Sequence, residues 1–133
     1  MSDKLTVNIR SFSYKKGIPQ DESGNGGGFV FDCRGILNPG RIDEFKSQSG
    51  LDKTVKDYLE QQTKMPDFLN SVYSILDITV ENYIKRDFQN LMISFGCTGG
   101  QHRSVTFAEY YGKLLAEENK TIITHRDVKT RKG

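Results

Sequence analysis

The sequence predicts an α/β domain: a mostly parallel sheet of about four strands with helices packed on it. Three observations lead there. Leu5, Val7 and Ile9 alternate with Thr6, Asn8 and Arg10, the period of a half-buried strand. Leu91 to Phe95 is an apolar run that passes through Gly96, Gly99 and Gly100 into a segment with helical apolar spacing. Between these regions Leu69, Val72, Tyr73, Leu76, Val80, Tyr83 and Ile84 recur at intervals of three and four, the stripe of an amphipathic helix laid on a core. Strand, helix and strand in succession imply a parallel crossover.

Taken in order, the first strand runs from Lys4 to Ser13. Gly17-Ile18-Pro19 and Ser23 to Gly28 cannot hold regular structure. The Gly24-Asn25-Gly26-Gly27-Gly28 cluster precedes a strand instead of joining a strand to a helix, so it reads as a flexible linker and not as a nucleotide loop. A second strand begins near Phe29 and carries Asp32 and Arg34 on one face with Cys33 on the other. Asn38-Pro39-Gly40 is a turn, and Asp52 suits the N-cap of a helix with Val55, Tyr58 and Leu59 on one face. Pro66 suits the first position of the longer helix. Asp87 to Asn90 turns into the Leu91 strand. Val105, Ala108, Tyr111 and Leu115 mark a third helix, with Asn119 capping its end, and Thr121 to His125 is the last strand.

A chain of 133 residues holds one domain with a real core, so a single domain over 1–133 is expected. No run approaches the roughly 18 apolar residues of a membrane helix. Met1-Ser2-Asp3-Lys4 leads directly into strand-like sequence without a signal peptide, which points to the cytoplasm. Cys33 and Cys97 are then expected to stay reduced, and with His102 and His125 they form no zinc spacing, so neither metal nor cofactor is expected. The net charge is +2, but from Lys120 onward five basic side chains face only Asp127, so this end carries +4 and the rest −2. A basic tail at 129–133, with Lys129, Arg131 and Lys132, suits either nucleic acid or a solvated terminus.

The turn after Leu91–Phe95 carries the chemistry. Gly96, Gly99 and Gly100 let the backbone approach a ligand closely, and the first N–H groups of a helix have no internal partner. Together with the helix dipole these favour a phosphate. Arg103 adds a two-pronged cationic contact, while Thr98, His102 and Ser104 supply further donors. The alternative is a tight turn with a buried Cys97 and a surface arginine. In open α/β sheets ligands collect beyond the carboxyl ends of the strands, where Asp32, Arg34 and His125-Arg126 also fall. Asp32 could accept from a ligand hydroxyl or amine with Arg34 supporting the phosphate, or the two could pair with each other.

The run Gly96-Cys97-Thr98-Gly99-Gly100-Gln101-His102-Arg103-Ser104-Val105 closely resembles the loop of the carboxy-terminal domain of the RapZ (YvcJ-like) RNase adapter family. Ser11 to Pro19, Val30 to Gly35, Asn38-Pro39, Gly50 to Val55 and His125 to Asp127 resemble the remaining blocks in order, so the likeness covers nearly the whole chain. The resemblance implies a non-catalytic sensor or adapter that binds a phosphosugar, glucosamine-6-phosphate, and a small regulatory RNA handed to an endoribonuclease. By matching position it implies ligand contacts from Asp32, Arg34, Cys97, Thr98, Gly99, Gly100, His102, Arg103 and Ser104, and RNA contacts from Lys129, Arg131 and Lys132. Its partners would be a phosphorylated small molecule, RNA, and either a second copy or a separate ATPase or ribonuclease. Ser13 and Lys16 depart from the family's first block, and Ser23 to Gly28 makes a longer loop. The family's amino-terminal ATPase domain has no counterpart here, and no G-x-x-x-x-G-K-[ST] occurs, so nucleotide hydrolysis does not carry over.

A second reading comes from another class. Cys97, five residues, then Arg103-Ser104 is the C-x5-R-S arrangement of cysteine phosphatases, in which a thiol at a helix N-terminus beside arginine attacks phosphorus. Cys97 and Arg103 would be catalytic and Asp32 the candidate acid, although Phe95-Gly96 stand where those enzymes usually carry histidine.

Overall fold

The computed structural model describes residues 5–25 and 28–129. Four strands, β1 (Thr6–Ser13), β2 (Phe29–Asp32), β3 (Asn90–Cys97) and β4 (Lys120–His125), form one sheet in the order β2-β3-β1-β4, and every pairing is parallel. Three helices accompany them: α1 (Lys53–Gln62), α2 (Met65–Lys85) and α3 (Arg103–Leu115). The predicted α/β class therefore holds, with the sheet wholly parallel.

The register explains the core. Val7 sits beside Leu91, Ile9 beside Ile93, and Phe29 and Phe31 beside Ile93 and Phe95, so one face of the sheet is a continuous apolar surface. Leu59 of α1, Leu76 of α2 and Phe107 and Tyr111 of α3 are fully buried in the same cluster. The aromatics of the helical stripe serve this core: Tyr73 stacks on Tyr111 at 5.3 Å between ring centres.

The opposite face carries Arg10, Met92 and Ser94, and α1, α2 and α3 pack in the cluster on the first face. Two residues between β1 and β2, Glu22 and Asn25, reach the sheet. Glu22 pairs with Arg10 at 2.6 Å and the Asn25 amide donates to the Asn90 carbonyl at 2.7 Å. Met92 is buried on this face, at 3% exposure.

Local departures from the expected boundaries have simple causes. Asn38-Pro39-Gly40 is the start of a 3-10 turn, Pro39–Arg41, capped by the Asn38 side chain on the Gly40 N–H, and a second 3-10 turn follows at Asp43–Phe45. Asp52 occupies the N-cap position of α1, but its carboxylate accepts from the Ser49 N–H instead of capping its own helix. Pro66 falls one residue into α2, behind Met65. The C-cap of α3 is Ala116 and not Asn119, which lies three residues beyond it and donates its main-chain N–H to the Leu115 carbonyl at 2.9 Å.

One core group is out of balance: Tyr111 is fully buried and its hydroxyl meets no partner among the described residues. A buried hydroxyl without a hydrogen bond costs about 1–3 kcal/mol. Tyr111→Phe is therefore expected to raise the unfolding free energy by about 1 kcal/mol, read as a higher urea midpoint at unchanged slope. A lower midpoint would show that the hydroxyl has a partner.

Candidate functional site

Because all strands are parallel, their carboxyl ends meet at one edge. Register places Ser13 beside Cys97, Asp32 beside Gly96 and Ser11 beside His125. The turn from Cys97 into α3 is the centre of that edge. Gly100 has φ of +68°, and a Cβ there would lie 2.9 Å from the Ser13 nitrogen, so only glycine fits. The turn is pinned on each side. Ser13 Oγ donates to the Thr98 carbonyl at 2.7 Å, and the Gly50 N–H donates to the Gln101 carbonyl at 2.7 Å. His102 Nε2 donates to the Phe45 carbonyl at 3.0 Å. A side chain at Gly50 would run into His102 and Thr106, which explains the close approach of this segment to the helix start.

Within this frame the N–H groups of Gly99, Gly100, Gln101, His102 and Arg103 have no hydrogen-bond acceptor among the described residues. Consecutive free amides around a left-handed glycine form a concave donor surface, the arrangement that holds an anion. At its base the Ser104 N–H donates to Cys97 Sγ at 3.4 Å, and the Cys97 thiol donates to Ser104 Oγ at 3.2 Å. Arg103 is only 4% exposed. Its Nη1 donates to the Arg34 and Ile36 carbonyls at 3.0 and 2.9 Å, while its buried Nε has no partner among the described residues. The carbonyls thus orient the guanidinium and leave donors on it unused.

The other expected site residues divide into two groups. Thr98 and Gly99 are exposed, and Gly100, Cys97 and Ser104 are buried around the turn. His102 is buried and braces the 39–45 segment. Asp32 and Arg34 lie at the same edge but pair with each other at 2.6 Å, and Arg34 stacks on Tyr14 at 3.9 Å from the ring centre. Hydrogen bonding to Arg34 holds the Asp32 carboxyl below its ordinary range, and the charge of Arg103 acts in the same direction. Arg131 and Lys132 of the basic tail lie outside the described residues.

Sequence reasoning missed the cleft beside the turn. It has a volume of about 340 Å³ and is lined by Gly99 and Gln101 together with Lys15, Lys16, Lys46 and Lys129. Lys15 and Lys16 stand in the Ser11 to Pro19 block, but only the fold carries Lys46 and Lys129 to the same place. The carboxylate lining it, Asp127, is neutralised by Arg126 at 2.8 Å and accepts from the Ser13 N–H at 2.7 Å. A second groove, about 420 Å³ among α1, α2 and α3, is mainly apolar and shares no lining residue with this edge. No cluster of ligands suited to a metal occurs among the described residues, and none of their helices is long and apolar enough to cross a membrane.

Burial alone would raise the Asp127 carboxyl, but the Arg126 guanidinium and the Ser13 N–H outweigh it and hold it below the ordinary range. A depressed folded-state pKa gives stability that is present above the unfolded value of about 3.9 and is lost as pH falls through the folded value. Asp127→Asn is expected to be less stable than wild type at pH 7, with the difference closing as pH drops below about 4. Denaturant melts across a pH series check this. A pH-independent difference would mean that the charge plays no part.

Comparison with known proteins gives a consistent result. A family model described as the RapZ C-terminal domain matches residues 5–129. A "nucleotide-binding protein" of Listeria welshimeri is 40% identical over 131 residues, covering 98% of this chain and 43% of the relative. Proteins of the same description from Lysinibacillus sphaericus and Clostridium botulinum are 39% and 44% identical, covering 96% and 94% of this chain and 41% of each relative. The chain thus spans about two fifths of the length of these relatives.

Proposed function

Because the chain belongs to the RapZ C-terminal domain family, we propose that it is a non-catalytic sensor or adapter domain whose turn between β3 and α3 takes the phosphate of a phosphosugar such as glucosamine-6-phosphate. One observation carries this reading: the five successive main-chain N–H groups of 99–103 and the buried Nε of Arg103 have no acceptor among the described residues. Phosphate offers three acceptor oxygens and negative charge to that surface. Asp32 at the rim would accept from a hydroxyl or amine of the sugar, and the lysine cleft would draw the anion in. The relatives' name, nucleotide-binding, is accommodated by the same preference for phosphate.

RNA would be a second ligand. Lys129 lies at the cleft, and the 129–133 tail continues from it with Arg131 and Lys132. A separate ATPase or ribonuclease, or a second copy of the chain, would complete such an adapter, and the cytoplasm is the compartment this reading requires.

Arg103→Ala is expected to weaken glucosamine-6-phosphate binding by about 1.5–3 kcal/mol, the size of a charge-assisted hydrogen bond. Calorimetry reads the loss, with Arg103→Lys retaining the charge but not the planar fork. Affinity unchanged in both variants rules out the role. Removing 129–133 is expected to weaken RNA binding and flatten its dependence on salt, since fewer counterions are released. Equal affinity with an equal salt slope would acquit the tail.

A second reading rests on the contact between Cys97 Sγ and Ser104, which suits a cysteine nucleophile at the base of an anion loop. Asp32 fits an acid poorly, since its pairing with Arg34 favours the ionised form. The sensor reading expects no phosphate release from an aryl phosphate. Turnover abolished by Cys97→Ser would favour the phosphatase instead.

A further inference from the structure

We propose that Cys33 and Cys97 are a disulfide-forming pair, oxidised by hydrogen peroxide and reopened by thiols, whose closure draws the anchoring sulfur of the β3–α3 turn away from Ser104. The placement follows from the ladder. Asp32 pairs with Gly96, and the Cys33 N–H donates to the Gly96 carbonyl at 2.7 Å, so the pairing of β2 with β3 continues one residue beyond the strand. The next residue on each chain is a cysteine. Strand alternation puts both side chains on the face of Phe31 and Phe95, and both are buried there, at 0% and 2% exposure. Neighbouring strands lie about 4.8 Å apart, inside the roughly 4.4–6.8 Å window of Cα separations that a disulfide spans. Both thiols are free.

Their surroundings differ in a way that assigns the order of events. Burial pushes the Cys33 thiol well above its ordinary range, and the nearby Cys97 pushes it in the same direction. Cys97, 2% exposed against 0% for Cys33, is the sulfur assigned to meet a small oxidant first. Its sulfur attacks one peroxide oxygen, the O–O bond breaks, and Cys97 becomes a sulfenic acid as one water leaves. The Cys33 sulfur then attacks the Cys97 sulfur, the S–O bond breaks, and hydroxide departs with the Cys33 proton as a second water. Two thiols lose two electrons and peroxide is reduced to two waters.

Closure would disturb the turn at two points. A Cys97 sulfur bonded toward β2 no longer accepts from the Ser104 N–H. Cys33 also adjoins Arg34, whose carbonyl orients Arg103, so a shift of β2 reaches the guanidinium as well.

The test is peroxide treatment of the folded full chain, followed by thiol blocking, peptide mass mapping and amide hydrogen exchange. The expected result is a Cys33–Cys97 cross-linked peptide, faster exchange at the Ser104 amide, reversal of both by dithiothreitol, and neither change in Cys33→Ala. Overoxidation of Cys97 without a cross-link, or a cross-link that leaves Ser104 exchange unchanged, overturns the proposal. If the phosphosugar reading also holds, the oxidised protein should bind glucosamine-6-phosphate about tenfold more weakly. Failure of the reduced protein to bind that ligand would count against the phosphosugar reading alone, because the cross-link and the exchange rate are measured without it.

Discussion

Main-chain N–H groups that leave the ladder of a sheet must find an acceptor, and in this fold that constraint concentrates at the turn between β3 and α3. Asparagine, serine and threonine side chains satisfy such donors at many turns, as Asn38 does for Gly40. Between Gly99 and Arg103 nothing does so among the described residues. The conformation nevertheless is held from outside by Ser13, Gly50 and Phe45, through contacts to the carbonyls and to a histidine ring. Carbonyl-side tethers fix the backbone while the amide side remains available. A surface organised in advance in this way binds without the ordering cost that a flexible loop would incur.

Charge at the same edge follows a similar division. The carboxylates that approach the turn are each matched locally: Asp32 by Arg34, and Asp127 by Arg126. Lys46 is likewise paired with Asp43 at 2.9 Å, so Lys15, Lys16 and Lys129 are the cleft lysines that supply positive charge, and a modest overall charge of +2 coexists with a positive pocket. His125 contributes to the scaffold on the helical side, bridging Ser11 at 2.7 Å and Glu109 at 2.7 Å, and ties β4 to α3 beneath the site. Burial would raise the Glu109 carboxyl, but the hydrogen bond and charge of His125 hold it below the ordinary range. The edge is thus built of paired polar groups that fix geometry and of main-chain donors that have no acceptor among the described residues.

Much of this was legible in the chain itself. The period of two in β1, the apolar run of β3 and the spacing of the α2 stripe determined the element types, because side-chain burial depends on backbone period before any partner is known. The glycines around Cys97 determined that a strand would pass into a helix through a tight turn, since these residue types act locally. Tertiary structure alone decided the rest. Strand order brought Lys46 and Lys129 to one cleft, Arg103 to the carbonyls of Arg34 and Ile36, and Cys33 beside Cys97. It also brought Glu22 to Arg10 and Asn25 to the Asn90 carbonyl. These contacts join residues far apart in sequence, and their pairing depends on parallel register and strand order, which no local pattern of residues encodes.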